Sequence, residues 1–145
     1  MKVVLQRVSG ASVAVDGEIT CSIGRGCVVL LGIGETDTKE QIAKMVEKIR
    51  KLRIFPDENG RTNLSAEDID GEIMVVSQFT LYADCRKGNR PSFTNAGSPA
   101  LAEMLYNYFI EVSSGIFRKV GHGVFGAHME VSLVNDGPFT VILEG

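Results

Sequence analysis

The run Ser77-Gln78-Phe79-Thr80 sets two hydroxyls and a primary amide where the apolar segment Ile73-Met74-Val75-Val76 gives way to a polar stretch. Such a set can orient a carbonyl, aim backbone N–H groups at a developing oxyanion or, through Thr80, supply a nucleophile. Thr80 can equally be a strand threonine bonded to its neighbour. A second candidate is Asn135-Asp136-Gly137-Pro138-Phe139-Thr140, wedged between the apolar runs Val131–Val134 and Val141–Leu143. Glycine lacks a Cβ and proline lacks an N–H, so this pair leaves carbonyl oxygens free and lets another molecule approach the backbone. A hairpin turn is the plainer reading of the same residues.

Other chemistries find little footing. Gly121-x-Gly123-x-x-Gly126 matches the dinucleotide fingerprint, but the residues after it, His128 to Leu133, read as a strand where that fingerprint needs a helix. His122 and His128 have no carboxylate or thiol companions at ligand spacing, so no metal or other cofactor is expected. No nucleophile elbow and no triad is visible. In an extended strand Ser77 and Phe79 face one side while Gln78 and Thr80 face the other, so all four line one pocket only if the chain bends there.

The elements that must position these groups are legible. Strands are expected over Lys2–Val8, Ala11–Val15 and Glu18–Ile23, with an Asp16-Gly17 hairpin turn, and over Gly26–Ile33 as a fully buried run. Thr38 with Gln41 forms a capping box ahead of a helix whose stripe is Ile42, Met45, Val46, Ile49 and Leu52. A short strand then ends at the Pro56–Gly60 turn. A second helix is expected from Pro99 to Ser114, capped by Ser98 and stopped by Gly115, with Leu101, Met104, Leu105, Tyr108, Phe109 and Val112 inward. Ile116–Val120, His128–Val134 and Phe139–Leu143 supply the last strands. The pattern is that of a mixed α/β domain with helices covering one sheet face.

Composition agrees. With 145 residues and 44% hydrophobic content, one domain over residues 1–145 buries roughly 68–70% of its unfolded surface. No apolar run reaches about 18 residues, and charge interrupts the N-terminal segment too early for a signal peptide, so a cytoplasmic protein without a membrane segment is expected. Cys21, Cys27 and Cys85 show no paired spacing and read as reduced thiols. A net charge of −3 means that any RNA binding uses local patches. Lys44, Lys48, Arg50, Lys51 and Arg53 read as a solvated helix face; Arg86, Lys87 and Arg90, in a loop beside the first candidate site, are the better candidates for an RNA-contacting patch.

Taken together, Ser77-Gln78-Phe79-Thr80 and Gly137-Pro138-x-Thr140 resemble the two signature motifs of the D-aminoacyl-tRNA deacylase family. The likeness continues at Arg7-Val8, at Gly88–Phe93 and at Phe125-Gly126-Ala127-x-Met129. Phe139, where a smaller residue is expected, and His128, where a longer basic side chain is common, depart from the pattern. The resemblance implies β/β/α layers, a homodimer with active sites near the subunit interface, and hydrolysis of the ester linking a D-amino acid to tRNA, or glycine mischarged on tRNA-Ala. It further implies a catalytic group of Ser77, Gln78, Phe79 and Thr80, with the Phe79 and Thr80 amides as oxyanion donors. Gly137 and Pro138 become a chiral filter reaching into the partner's pocket, with Thr140, Met129 and Phe125 beside the substrate. An aminoacyl ester is already activated and carries a neighbouring ribose hydroxyl, so positioning and oxyanion stabilisation could suffice without a triad. Two rivals stand beside it: a small-molecule esterase with Thr80 as nucleophile, and a non-enzymatic dimeric tRNA-binding module.

Overall fold

The computed structural model describes residues 1–145. Strand β1 (Lys2–Val15) turns at Asp16 and Gly17, with φ of 52° and 81°, into β2 (Glu18–Ile23). Two consecutive positive φ values fit a two-residue hairpin whose twist matches its strands. One edge of β1 pairs antiparallel with β3 (Gly26–Gly32) along its first half and with β2 along its second. The other edge carries β8 (Glu130–Glu144). Strand β3 runs parallel to β6 (Glu72–Ser77), and β6 parallel to β7 (Val120–His122). Parallel neighbours need long crossovers; helices α1 (Lys39–Lys51) and α2 (Pro99–Ser114) lie in them. A two-stranded ribbon, β4 (Phe55–Pro56) with β5 (Thr62–Leu64), completes the set.

The sheet curls until β2 approaches β7, where Cys21 Sγ donates to the His122 carbonyl at 3.1 Å. A nearly closed sheet has two inner surfaces to fill, and the sequence alternation divides accordingly. Cys27, Val29, Leu31, Ile73 and Val75 face the larger core under the two helices. Val28, Met74 and Val76, one residue out of phase, join Val8, Ala11, Val13 and Ile23 inside the curl. This is why β3 and β6 read as continuous apolar runs: they are covered on both faces.

Both helices keep their expected limits. Thr38 and Gln41 form the reciprocal capping box, and Ser98 Oγ accepts from Leu101 N–H at 3.4 Å. Several expectations need correction. The two predicted N-terminal strands are one, since β1 bends through Gly10 without breaking. Residues 116–119 are turn, leaving β7 only from Val120. The predicted last two strands are likewise the single strand β8. In α2 the buried residues are Leu105, Tyr106, Phe109 and Ser113, whereas Met104 is 47% exposed. The helix is rolled so that the Tyr106 hydroxyl reaches the carbonyls of Val75 and Gly123, at 3.0 and 3.1 Å. No helix is long and apolar enough to cross a membrane.

Candidate active site

The first motif starts where β6 stops. Ser77 is opposite Leu31 in the final register pair, and Gln78 N–H donates to Leu31 O at 2.8 Å. Gln78 then leaves the strand conformation (φ −145°, ψ 76°), and residues 79–82 wind into a short 3-10 helix. The bend removes the parity constraint: Ser77, Gln78 and Phe79 all line one cavity of about 520 Å³. First-turn N–H groups of a helix have no intrahelical acceptor. Here the turn's bonds begin with Leu81 N–H to Gln78 O at 3.3 Å, leaving the Phe79 and Thr80 amides open.

Thr80 lies outside the cavity lining and is exposed. Its side-chain partner is the Gln78 carboxamide. An amide is no base in either orientation, so nothing bonded to this hydroxyl can take its proton.

The cavity opens at the carboxyl ends of the parallel strands β3 and β6, the usual ligand position in α/β sheets. Leu31, Ile33 and Val76 form its floor, Ala96 to Ala102 one wall, and Phe125 to Met129 the other. No carboxylate or lysine lines it. Phe125 and Met129, named above from the resemblance, are among its lining residues. Tyr106 holds the assembly together, because its one hydroxyl joins β6 to the loop that carries Phe125, whose ring centroid is 5.8 Å from its own. Burial pushes the Tyr106 phenol well above its ordinary range, so it stays a neutral donor. Gly123 lets the Met129 side chain lie close to that loop: a Cβ would stand 2.4 Å from Met129 Sδ, and the flexible thioether would have to shift.

The second motif is elsewhere in the chain. In the β1–β8 ladder Gln6 pairs with Thr140 and Val8 with Asn135, so residues 136–139 all bulge out opposite Arg7. This corrects the hairpin reading: Gly137-Pro138 is the crest of a β-bulge within one strand, and its peptide bond is cis. Arg7 is only 9% exposed and grips the bulge. Its Nε donates to Asp136 O at 2.8 Å and Nη1 to Ile54 O at 2.6 Å, while the guanidinium sits 4.8 Å from the Phe139 ring centroid. The atypical Phe139 thus serves as a platform for Arg7. Asn135 adds a second brace: its Oδ1 accepts from Phe139 N–H at 2.7 Å and its Nδ2 donates to Thr140 Oγ1 at 3.1 Å.

Gly137, Pro138 and Thr140 do not line the cavity. Thr140 is on β8, separated from β6 by β1 and β3, which at about 4.8 Å per strand is on the order of 14 Å. One chain therefore does not bring its two motifs together. Arg7 and Tyr106 escaped the sequence reading as site residues. Arg7 left a signal, being in phase with the core positions Val3 and Leu5 of the same strand, where a cation must find partners; Tyr106 left none.

Arg86, Lys87 and Arg90 occupy a loop closed by reciprocal Asp84–Ser92 backbone bonds of 2.7 and 3.0 Å. Arg86 is not free: it forms a two-pronged pair with Asp84, at 2.9 and 2.6 Å, which holds that carboxyl below the usual range. Lys87 and Arg90 form no ion pair. On helix α1, Lys44, Arg50 and Lys51 are all paired with glutamates, as expected of a solvated face.

Comparison with known proteins converges on one group. The sequence profile of the family described as D-Tyr-tRNA(Tyr) deacylase matches residues 4–144. A D-aminoacyl-tRNA deacylase of Thermosipho africanus is 53% identical over 144 residues, 99% of this chain and 97% of its own length. That of Caldicellulosiruptor saccharolyticus is 52% identical with the same coverage. Among solved structures, the c-Myc DNA Unwinding Element Binding Protein superposes with a TM-score of 0.94 at 47% identity, over 100% of this chain and 99% of its own. A probable eukaryotic D-amino acid tRNA deacylase, 18% identical, shares the fold with a TM-score of 0.84 over 98% and 97% of the two chains.

Proposed function

The chain belongs to the D-Tyr-tRNA(Tyr) deacylase family, and from that membership we propose how its two motifs divide the work. The reaction is hydrolysis of the ester joining a D-amino acid to tRNA. The terminal adenosine enters the apolar cavity, its base against Phe125 and Met129, which sets the ester at the mouth beside the first motif. Water adds to the carbonyl carbon, and the open Phe79 and Thr80 amides hold the resulting oxyanion. The acyl C–O bond then breaks, and the departing ribose oxygen takes up the proton that water gives up, relayed by the adjacent 2′-hydroxyl. Ser77 and Gln78 shape the mouth and orient the ester.

The observation that carries the chirality reading is the bulge. Its Gly137 and Pro138 backbone is exposed, rigidly braced by buried Arg7, and outside the cavity lining of its own chain. A second copy related by a two-fold axis supplies the missing half by setting this bulge over the cavity mouth. The exposed Val134 and Ile142 of the same strand, at 64% and 70%, give such a copy an apolar surface to cover. The bulge carbonyls accept from the substrate ammonium, and the backbone fills the direction an L side chain would take. A D side chain points away unread, and glycine has nothing to reject, so glycyl-tRNA passes too. Translation places this reaction in the cytoplasm.

Incubation with D- and L-tyrosyl-tRNA tests the reading, with D-tyrosine ethyl ester as a third substrate. Release from D-tyrosyl-tRNA alone is expected; equal release of both enantiomers would contradict the filter, and rapid cleavage of the ethyl ester would restore the simple esterase.

Two further outcomes follow from the geometry. Thr80→Ala should keep substantial activity, because the hydroxyl has no base, whereas a 2′-deoxy terminal adenosine should slow turnover more. Loss of turnover in Thr80→Ala with a normal rate on the deoxy substrate would make Thr80 the nucleophile. Neutralising Lys87 and Arg90 together should flatten the salt dependence of tRNA affinity by a log–log slope of ~1.4, about 0.7 per phosphate contact. An unchanged slope would leave that loop as mere surface.

A further inference from the structure

The phenylalanines of this chain divide by exposure. Phe55, Phe109 and Phe117 are buried, and Phe125 and Phe139 are half-buried, but Phe79 is 57% exposed and Phe93 36%. The two exposed rings touch each other, centroids 5.0 Å apart and planes at 66°. Phe79 lines the cavity mouth. Phe93 O accepts from Ala96 N–H at 3.1 Å, and Ala96 belongs to the facing wall. The pair therefore sits on the rim of the cavity, at the foot of the loop whose tip carries the unpaired cations Lys87 and Arg90. One exposed ring is ordinary, but a joined pair beside a binding cavity and two free cations has the makings of a single-stranded nucleic acid platform.

We propose that Phe79 and Phe93 form a stacking subsite for the nucleotide immediately 5′ of the terminal adenosine, with Lys87 and Arg90 meeting the phosphates that follow. The inference rests on the terminal adenosine occupying the cavity. The preceding nucleotide is then one phosphodiester away and has to pass over the rim. Stacking on a ring face reads no base-pairing edge, so the subsite serves any tRNA end. It also favours a charged polynucleotide over a free aminoacyl nucleoside. The faces of Phe79 and Phe93 carry this selection, whereas chemistry uses only the Phe79 main chain.

The test compares D-tyrosyl-adenosine with the trinucleotide D-tyrosyl-CCA, using wild-type protein, Phe93→Ala and Phe93→Tyr. Phe93→Ala should raise KM for the trinucleotide by on the order of tenfold, as expected for one lost stack. It should leave kcat on both substrates and KM for D-tyrosyl-adenosine unchanged, and Phe93→Tyr should restore the wild-type values. Equal effects on the two substrates, no effect on either, or a change in oligomeric mass would overturn the subsite; the last would mean that a second copy covers these rings. A wild-type protein inactive on both substrates would instead remove the parent reading, and this one with it.

Discussion

Gly137→Ala should lower kcat/KM on D-tyrosyl-tRNA by about 10²-fold while the protein still folds, because a displacement of roughly 1 Å in a positioning group costs that much. Gly137 has φ of +147°, a conformation rarely adopted by residues with a Cβ. The added Cβ would lie 2.8 Å from Phe139 N, 3.1 Å from Phe139 Cβ and 3.2 Å from Arg7 Nη2. A backbone nitrogen and a buried guanidinium are both poor candidates to yield, so the bulge itself moves. Strain of this kind costs about 1–3 kcal/mol, which a protein of this size survives. Selectivity for D over L should shrink along with the rate, since the displaced backbone is the filter. Steady-state deacylation of both enantiomers, with circular dichroism as the folding control, measures it. Wild-type rate and selectivity in a folded variant would reduce the bulge to a structural irregularity.

Gly26→Ala should act on the fold instead. Gly26 faces Glu72 in the parallel β3–β6 ladder, and a Cβ there would fall 1.8 Å from Glu72 O and 2.6 Å from its carbonyl carbon. Both obstacles are backbone, both strands are covered on two faces, and neither can slide without tearing the core. Glu72 is also anchored: its carboxylate accepts from Gly24 N–H at 2.7 Å and from Arg118 Nη2 at 2.8 Å. The loss should be at least ~3 kcal/mol, with a drop in Tm on the order of 10 °C. A thermal melt unchanged from wild type would show that β3 and β6 can separate at no cost.

What the sequence disclosed and what it withheld have physical reasons. Both long helices were legible because capping and periodicity are local: Thr38 with Gln41, and Ser98 with Pro99, mark starts that no tertiary contact needs to supply. The inward face of α2 was misjudged because Tyr106 turns inward for two carbonyls distant in sequence, and amphipathic patterning ignores such bonds. The unity of β8 was hidden because Gly137-Pro138 normally ends a strand; here Arg7, 129 residues away from its bonding partner Asp136, keeps the chain in register around the bulge. The bend at Gln78 was foreseen only as a condition for a shared pocket. The expectation that Phe125 and Met129 belong to the site came from motif resemblance, and the cavity they line is built by long-range packing that no spacing rule contains. The separation of the two motifs could not be read at all, since it depends on strand order.

That separation is the centre of the account, and subunit complementation tests it most directly. One variant, Ala102→Trp, would fill the cavity and keep the bulge; the other, Gly137→Ala, would spoil the bulge and keep the cavity. Each alone should be nearly inactive. After subunit exchange, random pairing makes half of the dimers hybrid with one intact composite site each, so about a quarter of wild-type activity should return, with D selectivity. Recovery of that size would place the filter of one copy over the cavity of the other. No recovery, from a mixture shown by mass to contain hybrid dimers, would mean that each chain works alone and would contradict the account.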